Sequence, residues 1–257
     1  MESEIKERLR DVKSILVSQP KPKDNKSPYY KLAEKFKVRI DFRPFIEIQP
    51  VDLKEFRSQK IKVLDHTAVI FTSRNAVDHF FTLCKAIKAD IPADMKYFCI
   101  SEQTANYLQK YIVIRKRKIF TGQRTAADLV EVLKKHKDEI YLFPCSNIRK
   151  DDIPSFLGEN GYSFSELILY KTVASDLSDL ADIKYDVIAF FSPSGINSLF
   201  VNFPDFQQNS TRIAAFGPTT AKAAKEAHLH VDIAAPLPEA PSMTGALEVY
   251  IKKARNL

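Results

Sequence analysis

Short runs of apolar residues recur along the whole chain, and each is followed by a polar turn and a stretch with helical periodicity. Runs of this length predict strands that are buried on both faces, and their alternation with helices indicates parallel sheets. The clearest helical stretches are 29–36 and 75–87. We therefore predict an α/β fold. The predicted strands are 15–17, 68–71, 97–100, 140–143, 187–191 and 213–216.

The second half of the chain repeats the pattern of the first half. The alignment sets Ser73 against Ser192 and Thr104 against Thr220, at nearly the same spacing. Matches in one order and at one spacing indicate two copies of a single α/β unit of about 120 residues. The aligned segments are 69–81 with 188–200, 98–105 with 214–221, and 125–135 with 243–253.

Two segments, 39–50 and 164–174, interrupt the alternation of strands and helices. Both alternate polar and apolar residues, and neither has a helical stretch behind it. This periodicity predicts extended chain with one face exposed. Because each segment precedes the serine-containing motif of its half, we predict that both are connectors between lobes.

Composition and charge limit the classes of ligand. The chain has 257 residues but only six glycines, and no two of them stand close together. This excludes the glycine-rich loops of Rossmann dinucleotide sites and P-loops, whose glycines let backbone NH groups approach phosphates. The formal net charge of +7 suggests an anionic partner. Nucleic acid, a membrane surface, and a polycarboxylate or phosphate ligand all remain open at this point.

Three isolated cysteines, Cys84, Cys99 and Cys145, have no metal-binding spacing and fit a reducing cytosol. The first residues of the chain are charged and lack the apolar stretch of a signal peptide. No run approaches the roughly 18 apolar residues of a membrane span. We expect a soluble, cytoplasmic protein without a membrane partner.

Turns rich in serine and threonine follow four of the predicted strands. Thr72 and Ser73 follow one strand, Ser192 and Ser194 follow its repeat, and the turns at 101–104 and 217–220 form the second pair. Hydroxyls at such positions cap helices, while free backbone NH groups and the helix dipole attract anions. Open α/β sheets bind ligands at this edge. The repetition favours a polyanion site over the alternative, which is that these residues are helix caps and nothing more.

No other motif indicates a chemistry of its own. The chain has no G-x-S-x-G sequence for serine catalysis, and His228 and His230 lack a further ligand for a metal set. His66, His79 and His136 stand outside any motif. We predict neither serine catalysis nor a metal centre.

Two basic segments are candidates for anion contacts. The run at 114–118 has no interleaved aromatic residues, so a solvated strand edge is favoured over a nucleic-acid surface. The loop at 21–26 follows the first predicted strand, at the end where a ligand of an open sheet binds.

Tyr170 ends the apolar part of the second connector, in the sequence Leu-Ile-Leu-Tyr-Lys-Thr. A tyrosine on a strand is usually a packing residue. On the floor of a cleft, however, its phenol can donate a proton to a departing hydroxyl.

The most specific motifs of the chain are F-F-S-P-S-G at 190–195 and F-G-P-T-T-A at 216–221. With these motifs the chain resembles the uroporphyrinogen-III synthase family. Supporting matches lie at 71–77, at 170–174 and in the sequence P-S-M-T at 241–244. The resemblance runs from residue 13 to residue 253.

The resemblance implies two flavodoxin-like parallel-sheet lobes joined by a two-stranded β-ladder, with the active site in the interlobe cleft. One lobe is expected to comprise 1–42 and 173–257, and the other 46–168. The chain is expected to cross between them near 43–45 and 169–172. We expect a monomer.

The resemblance also implies an activity, that of a cyclising lyase of tetrapyrrole biosynthesis, which leads to haem, sirohaem or cobalamin. Family members convert linear hydroxymethylbilane, a polycarboxylate, to uroporphyrinogen III and invert ring D through a spiro intermediate. They use no metal and no organic cofactor, and no nucleic acid takes part. By position, Tyr170 matches the tyrosine that assists loss of the substrate hydroxyl. The implied substrate-binding residues are Thr72, Ser73, Thr104, Ser192, Ser194, Thr219 and Thr220.

The chain departs from the family pattern at three places. Ser18 and Gln19 stand where the family often has Thr-Arg, and Lys21 or Lys23 is the candidate replacement for the lost anion contact. Ser101 stands where a glycine is common. The segment 144–147 replaces a turn that usually contains glycine, although Arg149 beyond it matches a family arginine.

Two rival functions use the same features. The first is a non-catalytic two-lobed binding protein for an anionic metabolite. The second is a nucleic-acid-binding protein that uses the basic run at 114–118.

Overall fold

The computed structural model describes residues 8–113, 116–181 and 184–257. The chain divides into two compact units. The first unit combines both chain ends, Met1–Glu47 and Val173–Leu257, and the second is the continuous segment Ile48–Thr172. Within the described ranges, none of the helices has the length and apolar character needed to cross a membrane.

Strands and helices alternate along most of the described chain. The strands are β1 (Ser14–Val17), β2 (Arg39–Phe42), β3 (Ile46–Pro50), β4 (Ala68–Phe71), β5 (Lys96–Cys99), β6 (Ile119–Thr121), β7 (Ile140–Ser146), β8 (Ser163–Ala174), β9 (Val187–Phe190), β10 (Arg212–Phe216) and β11 (Val231–Ala235). The helices are α1 (Pro28–Phe36), α2 (Leu53–Ser58), α3 (Arg74–Ala86), α4 (Glu102–Tyr107), α5 (Ala126–Leu133), α6 (Asp152–Glu159), α7 (Pro193–Asn202), α8 (Pro218–Glu226) and α9 (Met243–Ala254).

The first unit is a parallel sheet covered by helices on both faces. Its strand order is β11-β10-β9-β1-β2, and each neighbouring pair is parallel. Phe36 of α1 and Leu247 of α9 belong to the buried cluster on one face. Ile196 of α7 and Ala224 of α8 belong to the cluster on the other. The predicted α/β class is confirmed, with the strand order of flavodoxin-like sheets.

The second unit has the same layered construction. Its sheet order is β3-β8-β7-β4-β5-β6, and the strands from β8 to β6 are parallel. Phe80 of α3 and Ala105 of α4 share one buried cluster. Leu129 of α5 and Leu157 of α6 share the cluster on the opposite face.

The two sheets contain equivalent strands in the same spatial order. The repeat in the sequence pairs β4, β5 and β6 with β9, β10 and β11, so that β8-β7-β4-β5-β6 corresponds to β2-β1-β9-β10-β11. Each half of the repeat therefore contributes its first two strands to one unit and its last three strands to the other. This division explains why the first unit is built from both chain ends.

The hydroxyl-rich turns after the central strands begin the next helices. The Oγ atom of Ser73 accepts a hydrogen bond from the backbone NH of Ala76 at 3.0 Å. The Oγ atom of Ser192 accepts the equivalent bond from Gly195 at 3.2 Å. Ser101 caps α4 in the same way, whereas its equivalent, Gly217, has a φ of 85° and no capping side chain. Helix capping is thus one role of these turns, and it fixes their backbone NH groups at the carboxyl edge of each sheet.

The predicted connectors are extended, as their periodicity indicated. β2 and β3 lie within 39–50, and β8 covers 164–174. β3 lies beside β8, and the bonds from Val51 N to Leu169 O and from Ser175 N to Phe45 O, each 2.9 Å, fit antiparallel pairing. The expected two-stranded ladder is confirmed.

Two local predictions are wrong. The strand at 140–143 continues to Ser146, because its last residues pair with β8, so Pro144 and Cys145 lie in a strand rather than in a turn. Proline offers no NH to a ladder, and the register shifts directly after Cys145.

In the basic run, Lys116–Lys118 forms a 3-10 turn before β6 instead of a strand edge. Residues 114 and 115 of that run lie outside the described residues.

Gly122 directly follows β6 and lies against the backbone of α5 and of the residue after β5. A Cβ atom at this position would lie 2.9 Å from Leu129 N and 3.0 Å from Ile100 O, both backbone atoms. We expect Gly122→Ala to lower the free energy of unfolding by about 1–3 kcal/mol, because the backbone must move to admit the methyl group.

The measurement for Gly122→Ala is urea denaturation, and Gly158→Ala is the matched control. Gly158 lies in α6, where a Cβ atom would have only the Phe164 ring nearby, at 4.0 Å. We expect the control to be neutral or to gain up to about 1 kcal/mol from helix propensity. Equal stability of the two variants would contradict the packing argument.

Candidate active site

Tyr170 lies on β8 with its ring largely buried, at 7% exposure. Its phenol oxygen is 3.1 Å from Ser73 Oγ, and either hydroxyl can donate in this pair. One face of the phenol ring stacks on the imidazole of His79, with 4.8 Å between ring centroids and 20° between ring planes. Tyr170 is therefore held at its oxygen and at its face by residues of α3 and its cap.

The protonation of Tyr170 follows from this environment. Burial raises the pKa of the Tyr170 phenol above its ordinary value, and the hydrogen bond with Ser73 opposes part of that rise. The phenol consequently keeps its proton at neutral pH. When Ser73 donates to the phenol oxygen, the hydrogen of Tyr170 is left for another acceptor.

Tyr170, Thr72 and Ser73 line a cavity of about 910 Å³ within the second unit. The wall is made by the carboxyl ends of β4, β7 and β8 and by the beginning of α5, which is the edge where parallel sheets bind ligands. Cys145 also faces this cavity, and burial raises the pKa of its thiol to about 11, so it is protonated and a poor nucleophile.

Cationic side chains line the same cavity. Arg124 and Lys150 are exposed to solvent there. Arg149 lines it as well, but its guanidinium is bonded to Glu166 and lies 3.3 Å from Asp151. Arg124 and Lys150 are thus better placed than Arg149 to meet an anionic ligand.

Thr104 is not among the residues that line this cavity. It is 5% exposed, and its hydroxyl lies 3.3 Å from the Ser101 hydroxyl within the first turn of α4. The equivalent Thr220 in the first unit is 1% exposed. Burial at both positions shows that the third residue of each helix packs inward, while the exposed Thr219 lies on the outer side of its turn.

The remaining predicted residues lie in the first unit. Ser192 and Ser194 follow β9, and Thr219 and Thr220 follow β10, and these two strands pair in parallel. The turns therefore lie at one edge of the sheet. Phe191 and Phe216 stack beside them with ring centroids 5.9 Å apart.

Among the described residues, no group of three or more His, Cys, Asp and Glu side chains is arranged to hold a metal ion. The three cysteines are buried and unpaired with one another. The wall of the cavity offers hydroxyls, a protonated phenol and basic side chains, together with the carboxylates of Glu131 and Asp152.

A family model described as uroporphyrinogen-III synthase HemD matches residues 27–245. The chain belongs to the uroporphyrinogen-III synthase family. Members of this family are cyclising lyases. The resemblance drawn from the sequence motifs is confirmed.

Relatives of known identity support the membership in the uroporphyrinogen-III synthase family. The uroporphyrinogen-III synthase of Saccharomyces cerevisiae is 24% identical over 210 residues, which cover 71% of this chain and 75% of the yeast protein. A mutant uroporphyrinogen III synthase from the extremely thermophilic bacterium Thermus thermophilus has a similar fold, with a TM-score of 0.59, 15% identity, and coverage of 95% of this chain and 100% of that one. The uroporphyrinogen-III synthetase from Helicobacter pylori 26695 also has a similar fold, with a TM-score of 0.58 at 18% identity and coverage of 93% of this chain and 99% of that one.

Sequence reasoning missed Arg124, Lys150 and His79. Arg124 follows the end of β6, so the rule that selected the other strand-end turns would have found it. Lys150 follows the longer β7, whose end the sequence placed too early. His79 has no signal of its own, because its contact with Tyr170 depends on how α3 packs against β8.

Proposed function

We propose that this chain converts hydroxymethylbilane to uroporphyrinogen III, with Tyr170 as the proton donor to the departing hydroxyl. The observation that carries this proposal is the protonated Tyr170 phenol, hydrogen-bonded to Ser73 on the wall of the 910 Å³ cavity. A phenol with its proton retained and its oxygen held by a neighbouring donor is suited to general acid catalysis.

The proposed sequence begins with the terminal hydroxyl of the substrate. Tyr170 transfers its proton to this hydroxyl, which leaves as water and gives the azafulvenium cation, an azafulvene that still carries its N–H proton, while Tyr170 becomes a phenolate. The substituted α-carbon of ring D attacks the azafulvene carbon and forms the spiro intermediate. Fragmentation and reclosure invert ring D, and the proton released when the macrocycle regains its aromatic pyrroles restores the Tyr170 phenol through solvent.

Binding is proposed to depend on the eight carboxylates of the substrate. Arg124 and Lys150 attract them at the cavity, and the backbone NH groups at the beginnings of α3 and α7 offer hydrogen bonds. Hydroxyl groups complete the proposed contacts and hold the linear tetrapyrrole so that its ends meet. The proposed binding residues are Thr72, Ser73, Ser192, Ser194 and Thr219. Thr104 and Thr220, which the sequence also suggested, are buried, and we propose that they shape their turns without touching the substrate.

We also propose that the protein acts as a monomer in the cytoplasm and does not bind nucleic acid. The three unbridged thiols support a reducing compartment. The basic run at 114–118 is the candidate nucleic-acid surface. One of its cations is already used within the protein, because Lys118 Nζ donates a hydrogen bond to the carbonyl of Ala93.

The decisive experiment supplies the purified protein with hydroxymethylbilane and separates the porphyrinogen isomers formed. We expect the type III isomer in large excess over the type I product that forms spontaneously. Type I alone would refute the synthase reaction, and tight binding of hydroxymethylbilane in that case would identify the non-catalytic binding protein instead.

A further inference from the structure

The stacking of His79 on Tyr170 is unexplained by the proposed chemistry. His79 is half-buried on α3, six residues after Ser73, which caps the same helix. One helix therefore supplies both the hydrogen bond to the phenol oxygen and the ring against the phenol face. Two contacts from one rigid element define the position of a side chain more completely than either contact alone.

The two contacts restrict different motions of Tyr170. The bond with Ser73 fixes where the phenol oxygen lies, but it leaves the ring free to turn about the Cβ–Cγ axis, which has a broad torsional preference in tyrosine. A ring stacked 4.8 Å away with an angle of 20° blocks this turning. Because a phenol O–H lies close to the plane of its ring, fixing that plane also fixes the direction in which the proton points.

The imidazole of His79 is suited to this contact without being charged. Burial lowers the pKa of His79, while the neighbouring carboxylate of Asp78 opposes that change. The Asp78 carboxylate is itself occupied by the hydroxyls of Tyr107 and Tyr111 and by Lys110. Stacking of a neutral aromatic ring on a phenol stabilises the pair beyond the apolar area that it buries.

We propose that His79 is a positioning residue for Tyr170, whose ring holds the phenol in the plane from which its proton is transferred. This inference rests on the proposed role of Tyr170 as proton donor. It assigns to His79 no contact with the substrate and no proton transfer of its own.

The first test compares variants that keep or remove the ring at position 79. His79→Ala is expected to lower kcat about tenfold with KM within about twofold, because the phenol loses its orientation but the binding groups remain. His79→Phe is expected to restore most of kcat, since it replaces one neutral ring by another. His79→Leu fills the space without a ring and is expected to show the same loss of kcat as the alanine variant. It keeps the test decisive if the alanine variant folds poorly.

His136→Ala is the matched control. His136 is also half-buried in the second unit, and its ring contacts Phe98 and Phe120 with centroids 5.2 and 4.2 Å away. It lies outside the cavity that contains Tyr170. We expect this control to lose some stability and to keep its kcat.

The second test detects the contact without substrate. Protein labelled with 3-fluorotyrosine gives one fluorine resonance that Tyr170→Phe removes, which assigns it to Tyr170. This resonance is expected to shift in His79→Ala and to stay in place in His136→Ala. If Tyr170→Phe retains full activity, the proposed function of Tyr170 fails while this resonance still reports the stacking.

Two outcomes overturn the positioning role. The first is an unchanged kcat in both His79→Ala and His79→Leu, whatever happens to the fluorine resonance. The second is a kcat in His79→Phe that is as low as in His79→Ala, because the ring would then not be what matters.

Discussion

Tyr170→Phe is expected to lower kcat about 100-fold or more, the lower range of what a general acid contributes. Phenylalanine keeps the ring that stacks on His79 and removes the O–H and its bond with Ser73. The substrate carboxylates are bound by other groups, so KM is expected to stay within about twofold. The measurement is steady-state kinetics with hydroxymethylbilane, read as the type III isomer.

Tyr141→Phe is the control for the removal of a buried tyrosine hydroxyl. Tyr141 is fully buried in the same unit, and its hydroxyl donates to the His136 carbonyl at 2.7 Å. Its loss is expected to cost about 1 kcal/mol of stability with little effect on kcat. Similar kinetics in the two variants would show that Tyr170 has no special role.

The pH dependence of kcat gives a second test of the proposed role of Tyr170. Since burial raises the pKa of its phenol, the acid form is present throughout the neutral range and is lost only as the pH rises above the ordinary range of a phenol. The part of kcat that depends on this proton is expected to fall at that alkaline limit. In Tyr170→Phe this alkaline fall is expected to be absent.

Asp232→Ala is expected to lower the free energy of unfolding by about 3–5 kcal/mol, the largest effect on stability that we anticipate. The Asp232 carboxylate on β11 is 2% exposed and pairs with Arg8, a residue far away in sequence. It also accepts hydrogen bonds from Ile213 N at 2.9 Å and from Gln208 Nε2 at 3.2 Å. Alanine removes the acceptor of Ile213 N and the counter-charge of Arg8, and the cost of a buried polar group without its partner falls on the folded state. Gln208 Nε2 keeps its bonds to Thr211 O and His230 O.

The measurement for Asp232→Ala is urea denaturation of the variant beside Asp205→Ala. Asp205 is an exposed acid of the same unit, and its removal is expected to change stability by less than about 0.5 kcal/mol. Asp232→Asn keeps an acceptor for Ile213 N and is expected to fall between the two. A loss below about 1 kcal/mol in Asp232→Ala would show that the carboxylate does not hold β10, β11 and Arg8 together.

The sequence predicted the central elements well because their burial is complete. The run at 68–71 is buried at every residue and forms β4, and the helix expected at 75–87 is α3 at Arg74–Ala86. The prediction failed at the end of β7, where pairing with β8 extends a strand through Pro144. Local propensity places a strand end at that proline, and only the neighbouring strand overrides it.

Part of the candidate site was predictable for a different reason. The repeat and the strand-end hydroxyls pointed to Ser73 and Ser192 as equivalent residues, and both cap the equivalent helices α3 and α7. The same rule placed Thr104 with them, although its side chain is buried. Spacing identifies the turn but does not show which of its side chains face outward.

By itself the sequence determined the α/β class, the duplication and the strand-end turns. These features depend on hydrophobic periodicity and on the residue types of short segments, which are local properties of the chain. Only the tertiary structure decided which distant residues meet. Ser73 and Tyr170 are 97 residues apart, and His79 has no motif, yet packing of α3 against β8 brings all three together. The tertiary structure also decided how the repeat is divided. β1 pairs with β2 on one side and with β9 on the other, so these two strands join the sheet of the second half of the chain and not that of β4, β5 and β6.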